Sequence, residues 1–172
     1  MSYVTNEQLL STNLSIDSKE MNSDIDNIIK NKLIGQLEGV CYDNGYIVKG
    51  SVKIINRKMG EIKSVNNKST IKYLINYKAN VISPSQGDVI EAYINNINKM
   101  GVVSYIKVDG EDSSSVDIDD SPLIIMIPNE YFGDSILNIG DLNIGQVIKV
   151  VVVGSRVKFK SDKIQVIAKP EN

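Results

Sequence analysis

The side chains that most often perform catalysis are scarce in this sequence. It contains no histidine, which removes imidazole bases, Ser-His-Asp and Cys-His nucleophile systems, and most zinc and copper sites. The single cysteine, Cys41, can form neither an internal disulfide nor a thiolate cluster, and its apolar neighbours predict a buried, unreactive thiol. No set of acidic residues has the spacing of a magnesium site. The sequence therefore predicts a protein that is not an enzyme and that carries no metal or other cofactor.

The charged side chains are the remaining candidates for function, and they are unevenly distributed. Residues 1–86 hold 11 basic and 8 acidic groups, whereas residues 87–172 hold 8 and 13. Within the second half, residues 109–122 carry six acids and no base, whereas residues 145–172 carry six bases and two acids. Basic clusters bind phosphates without sequence preference. We therefore expect any RNA to lie near the C-terminal bases and to avoid the acidic segment, which is predicted to be a solvated loop.

One amphipathic helix is predicted over residues 24–38. Asp24 and Asp26 follow Ser23, and acidic groups favour the first turn of a helix. Apolar residues then recur at helical spacing, and Gly39 is placed to end the helix in a left-handed turn. The apolar positions are Ile25, Ile28, Ile29, Leu33 and Leu37.

Strand-like alternation surrounds this helix. The predicted strands are Gln8–Ile16, Gly45–Ile55 and Ile71–Ile82. Tyr73 and Tyr77 share the apolar face of the last strand, which predicts packing within the sheet rather than base stacking. One helix and several strands predict an α+β unit, with an antiparallel sheet and the helix on one face.

The second half has the pattern of an all-β unit. Five strands in about 85 residues, with glycines at the corners, favour a small OB-fold barrel. Pro84 and Gly87 interrupt the strand pattern, so we place a boundary there and predict two domains, 1–86 and 87–172. The predicted barrel strands are Gly87–Asn98, Val102–Val108, Leu123–Ile127, Gly145–Gly154 and Lys163–Ala168.

Composition and the first residues bear on the compartment. Hydrophobic residues make up 42% of the chain and charged residues 23%, which is typical of a globular protein. The opening MSYVTNEQLL lacks the basic start and apolar run of a secretory leader, and the longest apolar runs are too short to span a membrane. We therefore expect an intracellular protein without a membrane partner.

Two sets of motifs point to a family. The first has the order of an OB domain of the ribosomal S-one type: Gly87–Glu91, Ile94, Ile97, Gly101–Ile106, the run LIIMIPNEYF at 123–132, and Gly145–Val150. The second lies upstream and comprises KLIGQLEGVC at 32–41, Gly45–Ile47, Tyr77–Ala79 and Pro84. Joined in this order over about residues 10–168, they resemble the larger stalk subunit of multi-subunit DNA-dependent RNA polymerases: the seventh subunit of eukaryotic RNA polymerase II and its archaeal and large-DNA-virus counterparts.

The resemblance implies a noncatalytic subunit with two lobes. Residues 1–86 would form a ribonucleoprotein-like tip domain that docks on the polymerase core near the clamp. Residues 87–172 would form an OB-fold domain that faces nascent single-stranded RNA. The expected partners are the core subunits, a smaller helical stalk subunit and the transcript, and the expected role is in transcription, including its initiation.

The candidate RNA-binding residues follow from the loops of the OB fold. Ligands of this fold meet the loop between the first two strands and the loop between the last two. A solvated basic hairpin is the alternative. Since Val102 and Val103 occupy positions where stronger RNA binders of this fold carry rings, we expect weak and largely electrostatic binding. The candidates are Lys99, Tyr105, Arg156, Lys158, Phe159, Lys160 and Lys163.

The resemblance also suggests a docking hairpin in the first half. Exposed Arg57 and Lys58 would there meet an acidic surface of the polymerase core. A plain surface hairpin without a docking role is the alternative. The candidate docking residues are Ile55, Asn56, Arg57, Lys58, Met59 and Gly60.

A different class of protein fits the same OB pattern. It is a free-standing RNA-binding adaptor in translation or RNA decay. A polymerase subunit would act in the nucleus if the source is cellular. If the source is a large DNA virus, it would act in cytoplasmic viral factories and be packaged in the virion.

Overall fold

A computed structural model describes residues 5–43, 45–107, 118–133 and 138–171. The chain divides into two compact units. The first consists of Asn6–Val40 and Ile47–Val81, and the second, the barrel unit, contains Cys41–Tyr46 and the described part of Ile82–Asn172. The longest segment of the second unit starts at Ile82, and the unit also includes Thr5 and six residues from the middle of the first half.

The first unit is built on a long central strand, β6 (Lys68–Ile82). The sheet has the strand order β1-β6-β3-β2, and β4 and β5 also pair with β6. The single α-helix among the described residues is α1 (Ile25–Leu37). The other strands of the sheet are β1 (Thr5–Asp17), β2 (Cys41–Tyr42), β3 (Gly45–Ile47), β4 (Lys53–Arg57) and β5 (Glu61–Val65). Of these, β2 and most of β3 lie in Cys41–Tyr46, which belongs to the barrel unit.

The core of the first unit includes residues of α1 and of one face of β6. Ile29, Leu33 and Leu37 of the helix are buried, as the spacing of apolar residues predicts. Alternate residues of β6 are buried with them, including Tyr73 and Tyr77, so the prediction that these tyrosines pack within the sheet is confirmed. The predicted helix is also confirmed, within one residue at each end, and Gly39 follows it with a left-handed φ of 77°.

The prediction of one continuous strand over Gly45–Ile55 is wrong. The chain forms β3, turns at Lys49–Gly50, and resumes as β4. Gly50 has φ of 78°, a conformation that glycine adopts without steric cost and that cannot continue a strand. Gly50 was the available signal, because a glycine inside a strand pattern often marks a bend or bulge.

The predicted docking hairpin at residues 55–60 is also wrong as a hairpin. β4 and β5 do not pair with each other; they lie one after the other along β6. Between them Met59 and Gly60 stand opposite the single residue Tyr73, since Lys58 donates its N–H to Leu74 and Glu61 pairs with Lys72. Met59 and Gly60 therefore form a bulge between β4 and β5.

The turn that joins this edge to β6 lies further along the chain. Asn66 and Asn67 have φ of 51° and 63°. Two successive left-handed residues form the type I′ turn that suits a two-residue β-hairpin, and asparagine is among the residues that tolerate it. Val65 and Lys68 are consequently the first pair of the ladder.

The barrel unit is a closed barrel of five strands in the order β10-β11-β9-β8-β7. The pair β9–β11 is parallel and the other pairs are antiparallel. This strand order is compatible with an OB-like barrel, and the predicted small barrel of five strands is present. Its strands are β7 (Val89–Asn98), β8 (Gly101–Tyr105), β9 (Leu123–Pro128), β10 (Val147–Val157) and β11 (Ile164–Pro170).

Alternate residues of these strands fill the barrel. Ile90, Ala92 and Ile94 of β7 are buried, as are Leu123, Ile125 and Ile127 of β9. Two bulges interrupt the pairing, one between Ile94 and Asn96 and one between Val152 and Gly154; bulges bend strands and so assist closure. Most of the acidic segment 109–122 lies outside the described residues; its end forms a 3₁₀ turn at Ile118–Asp120.

Gly101 permits the closest approach between two strands of the barrel. It has φ of 145°, and a Cβ added to it would lie 2.1 Å from the carbonyl oxygen of Ile127. Gly154 also lies in a barrel strand, but a Cβ there would meet no atom within 4 Å. The two glycines therefore form a matched pair for substitution.

We expect Gly101→Ala to lower the free energy of unfolding by about 2 kcal/mol or more, because the substitution combines a strained φ with a steric overlap. Gly154→Ala should change it by less than about 1 kcal/mol. Urea denaturation followed by circular dichroism measures both values. Equal stabilities of the two variants would contradict this account of Gly101.

Candidate nucleic-acid interface

A row of outward-facing side chains crosses all five strands of the barrel. Tyr93 pairs with Tyr105, Tyr105 with Ile124, Ile124 with Gln165, and Gln165 with Arg156. Their neighbours along the strands, including Ala92, Ser104, Ile125 and Val166, are buried in the barrel. Because successive side chains of a strand point to opposite faces, the row lies on the outer surface. We call Tyr93, Tyr105, Ile124, Gln165 and Arg156 the transverse row.

Two tyrosines lie side by side at one end of the transverse row. The ring centroids of Tyr93 and Tyr105 are 5.9 Å apart, with an angle of 30° between the planes. The ammonium of Lys107 lies 4.5 Å from the centroid of the Tyr93 ring, within the range of a cation–π interaction. Both tyrosines are partly exposed, so the rings offer a surface on which a base could stack.

A basic groove occupies the opposite end of the row. It has a volume of about 410 Å³ and is lined by Ile124 and Gln165 of the row, by Arg156, and by residues of the β10–β11 turn. The turn contributes Lys158, Ser161, Asp162 and Lys163. With three bases and one acid, the groove favours an anionic ligand such as a phosphate.

The three bases of this groove are not equivalent. The ammonium of Lys163 donates to the carbonyl oxygens of Ile118, Asp119 and Ser121, at 2.8, 2.6 and 3.0 Å. All three ammonium protons are thereby used within the protein. Arg156 and Lys158 are exposed and are better placed to meet a phosphate. Lys163 therefore has a structural role, holding the 3₁₀ turn before β9.

The β10–β11 turn is held by a segment from the first half of the chain. Cys41 donates its N–H to the carbonyl of Ser161 and accepts the N–H of Lys160, both at 2.7 Å. Lys160 has a left-handed φ of 61°, a conformation that costs a non-glycine residue energy and must be stabilised by its surroundings. These two bonds fix the turn that carries the predicted RNA-binding lysines.

An aromatic contact accompanies this pairing. Phe159 lies edge-on to the ring of Tyr42, with centroids 5.3 Å apart, and the ammonium of Lys160 is 5.6 Å from the Phe159 ring. Phe159 nevertheless remains 56% exposed. Burial raises the pKa of the Tyr42 hydroxyl, so Tyr42 is uncharged at neutral pH.

The thiol of Cys41 is fully buried beneath this turn. Burial, and secondly the negative charge of Asp162, raises its pKa from 9.0 to about 11. The thiolate is the reactive form of cysteine, so the thiol is inert at neutral pH, as its apolar sequence neighbours suggest.

Lys99 lies apart from the other predicted RNA-binding residues. It is in the turn between β7 and β8, before Gly101, whereas Tyr105 is at the other end of β8. Four residues of strand, or about 13 Å, separate Gly101 from Tyr105. Asn98 accepts the N–H groups of Met100 and Gly101 and so braces this turn. Of the other predicted residues, Arg156, Lys158 and Lys163 line the groove, and Phe159 and Lys160 lie in the same β10–β11 turn. Tyr105 lies toward the other end of the transverse row.

The predicted docking residues, all in the first unit, also differ among themselves. Arg57 forms an ion pair with Asp26, with 2.8 Å between Nε and Oδ1, and its guanidinium lies 5.3 Å from the centroid of the Tyr73 ring. Its charge is therefore compensated within the unit. Lys58 is exposed, and within the described residues it has no ion pair. Ile55, Asn56 and Met59 are exposed as well, Met59 to 91%.

The sequence analysis missed three residues of the transverse row: Tyr93, Ile124 and Gln165. Tyr93 is the most informative of them because it carries an aromatic ring. Counted back from the β7–β8 turn, Tyr93 would oppose Ile106, which is buried. The extra residue Asn95 shifts the pairing by one and places Tyr93 opposite Tyr105. One signal in the sequence could have identified Tyr93. Glu91 and Tyr93 alternate with Ile90 and Ala92, which are buried, and this alternation places Tyr93 on the outer face of the strand.

The described residues also bear on two other kinds of site. No group of three or more histidine, cysteine, aspartate or glutamate side chains within them could hold a metal ion. No helix in the part of the chain that the structure describes has the length and apolarity needed to cross a bilayer. No protein-family model matches the sequence.

Since the pKa of Cys41 is raised on folding, protein stability should fall as pH increases from 9 to about 11. In that interval the unfolded chain loses the thiol proton while the native state keeps it. The shift corresponds to roughly 3 kcal/mol. Denaturation across this pH range should show a steeper decline for the wild type than for Cys41→Ala. Parallel declines, or rapid labelling of the native thiol by a maleimide at pH 7, would contradict it.

Proposed function

We propose that this protein is a noncatalytic stalk subunit of a multi-subunit DNA-dependent RNA polymerase, and that its barrel contacts nascent RNA. In this proposal the first unit is a ribonucleoprotein-like tip that docks on the core near the clamp. The barrel is an OB domain of the ribosomal S-one type. The motif order along the sequence supports the assignment to the stalk, and the OB-like strand order is compatible with it.

The observation that carries the RNA-binding part is the transverse row. Tyrosine rings at one end and a basic groove at the other provide stacking and phosphate contacts on one continuous surface, a combination that binds single strands with little sequence preference. A subunit that meets every transcript requires such tolerance. The strands β8 and β9, which carry Tyr105 and Ile124, correspond to the ligand-binding face of OB folds.

Three exposed cations near the groove set the expected electrostatic part of binding. Arg156, Lys158 and Lys160 are exposed, whereas the ammonium of Lys163 is bonded to carbonyl groups. Three phosphate contacts predict a slope of about −2 for log K against log salt concentration, since each contact on a single strand contributes about −0.7. We expect a dissociation constant no tighter than about 1 μM at physiological salt.

The two contributions can be separated by substitution. Tyr105→Ala should weaken binding of a fluorescent single-stranded RNA about tenfold and leave the salt slope unchanged, because stacking contributes about 1 to 3 kcal/mol per base. Lys158→Met should reduce the magnitude of the slope by about 0.7. Tyr131→Ala, which alters a tyrosine outside the row, is the control. Fluorescence anisotropy at several salt concentrations gives both quantities.

Either of two results would reject this RNA site. The first is nanomolar binding that is insensitive to salt. The second is equal binding by the wild type and by a Tyr93→Ala, Tyr105→Ala double variant whose circular dichroism is unchanged.

Membership of a polymerase is tested by what copurifies with a tagged chain in cells of its source. We expect the large catalytic polymerase subunits, identified by mass spectrometry, and a smaller helical partner. Lys58→Glu should reduce recovery of the core severalfold, whereas Lys19→Glu, another exposed lysine of the first unit, should not. Arg57 is less informative because its replacement also removes the pair with Asp26. Recovery of translation or RNA-decay factors in place of polymerase would favour a free-standing adaptor.

A further inference from the structure

Strand β5 leaves one backbone edge unpaired in the first unit. Within the described residues it pairs with β6 and with no other strand. All five of its residues are exposed, including Ile62 at 74% and Val65 at 67%. An exposed strand edge of this kind is a template for pairing with another chain.

The pairing register identifies which backbone groups are free. Val65 and Lys68 flank a two-residue turn, so they exchange the first pair of ladder hydrogen bonds. Because bonded and non-bonded pairs alternate along an antiparallel ladder, Ile62 and Ser64 belong to non-bonded pairs with β6. Their N–H and C=O groups therefore point to the free edge. The bond from the N–H of Lys58 to the carbonyl of Leu74 agrees with this register. Leu74 lies two residues after Lys72, which belongs to a bonded pair.

The two faces of this edge differ in chemistry. Ile62 lies opposite Ile71 and shares a face with the buried Tyr73, yet it is largely exposed. The other face carries Lys63, Lys68 and Lys72 against one acid, Glu61. A strand added at this edge would place alternate side chains beside Ile62 and beside Lys63.

We propose that the free edge of β5 binds an extended segment of another polypeptide that alternates apolar and acidic residues. Its backbone would bond to the N–H and C=O groups of Ile62 and Ser64, as in other cases of strand addition. Its apolar side chains would cover Ile62, and its acidic side chains would meet Lys63 and the neighbouring lysines.

Charge argues against a second copy of this chain as the occupant. Two such edges paired with each other would bring together two faces that each carry three lysines and one acid, and a net excess of like charge disfavours strand pairing. The inference does not depend on RNA binding, because it rests on residues of the first unit alone.

The test uses an eight-residue peptide of alternating valine and aspartate, and the full-length protein. In NMR hydrogen exchange, saturating peptide should slow the amides of Ile62 and Ser64 about tenfold or more, because each gains a hydrogen bond. A peptide in which lysine replaces aspartate should leave these rates unchanged.

Substitutions at Ser64 provide a second readout by fluorescence anisotropy. Ser64→Pro removes an N–H that β6 does not use, so the fold should persist while peptide affinity falls about tenfold or more. Ser64→Ala, which removes only the hydroxyl group that lies 3.3 Å from that of Ser69, should bind as the wild type does. If Ser64→Pro fails to fold, exchange in the wild type decides the question.

Three results would overturn the proposal. One is exchange at Ile62 and Ser64 that the aspartate peptide does not slow. Another is equal binding of the lysine peptide. The third is a dimer in sedimentation whose formation protects the same two amides without peptide, which would make a second copy the occupant.

Discussion

Closure of the barrel through the parallel pair β9–β11 is the constraint on which the candidate RNA surface depends. That pair sets Gln165 beside Ile124, and so connects the β10–β11 ribbon, with Arg156 and its basic turn, to the strand pair that carries the tyrosines. Without it, Tyr105 and Arg156 would belong to separate hairpins. Closure also turns Val102 and Ile125 inward and leaves the alternate positions for ligand contact.

In the first unit the corresponding constraint is the length of β6. It has 15 residues and pairs in turn with β4 and β5 along its length. Burial of β6 begins at Tyr73, whereas Ser69–Lys72 are partly exposed and all of β5 is exposed. The exposed edge thus lies where β6 extends beyond the buried core.

Local patterns in the sequence were sufficient to predict α1, the alternation in β6 and most of the barrel strands. In each case the spacing of apolar residues within one segment is enough to indicate a helix or a strand. Features that depend on pairing between segments were not predictable in this way. The bulge at Asn95 decides which residue Tyr93 faces, and the chain reverses at Asn66–Asn67 rather than within residues 55–60. The roles of Lys163 and Arg57 depend on carbonyl groups and a carboxylate distant in sequence, so both residues appeared available for ligands.

The pairing of Cys41 with Lys160 and Ser161 has a consequence for how the protein is made. The two partners are separated by about 120 residues of chain, so Cys41 leaves the ribosome long before the turn that satisfies its backbone. The barrel can be completed only near the end of translation, and its contacts have a large sequence separation, which slows folding. A gene fragment starting at residue 87 would lack Cys41 and Tyr42, and would leave the N–H of Lys160 and the carbonyl of Ser161 unpaired. The barrel unit therefore needs residues from both halves of the chain, and residues 87–172 alone do not contain all of it.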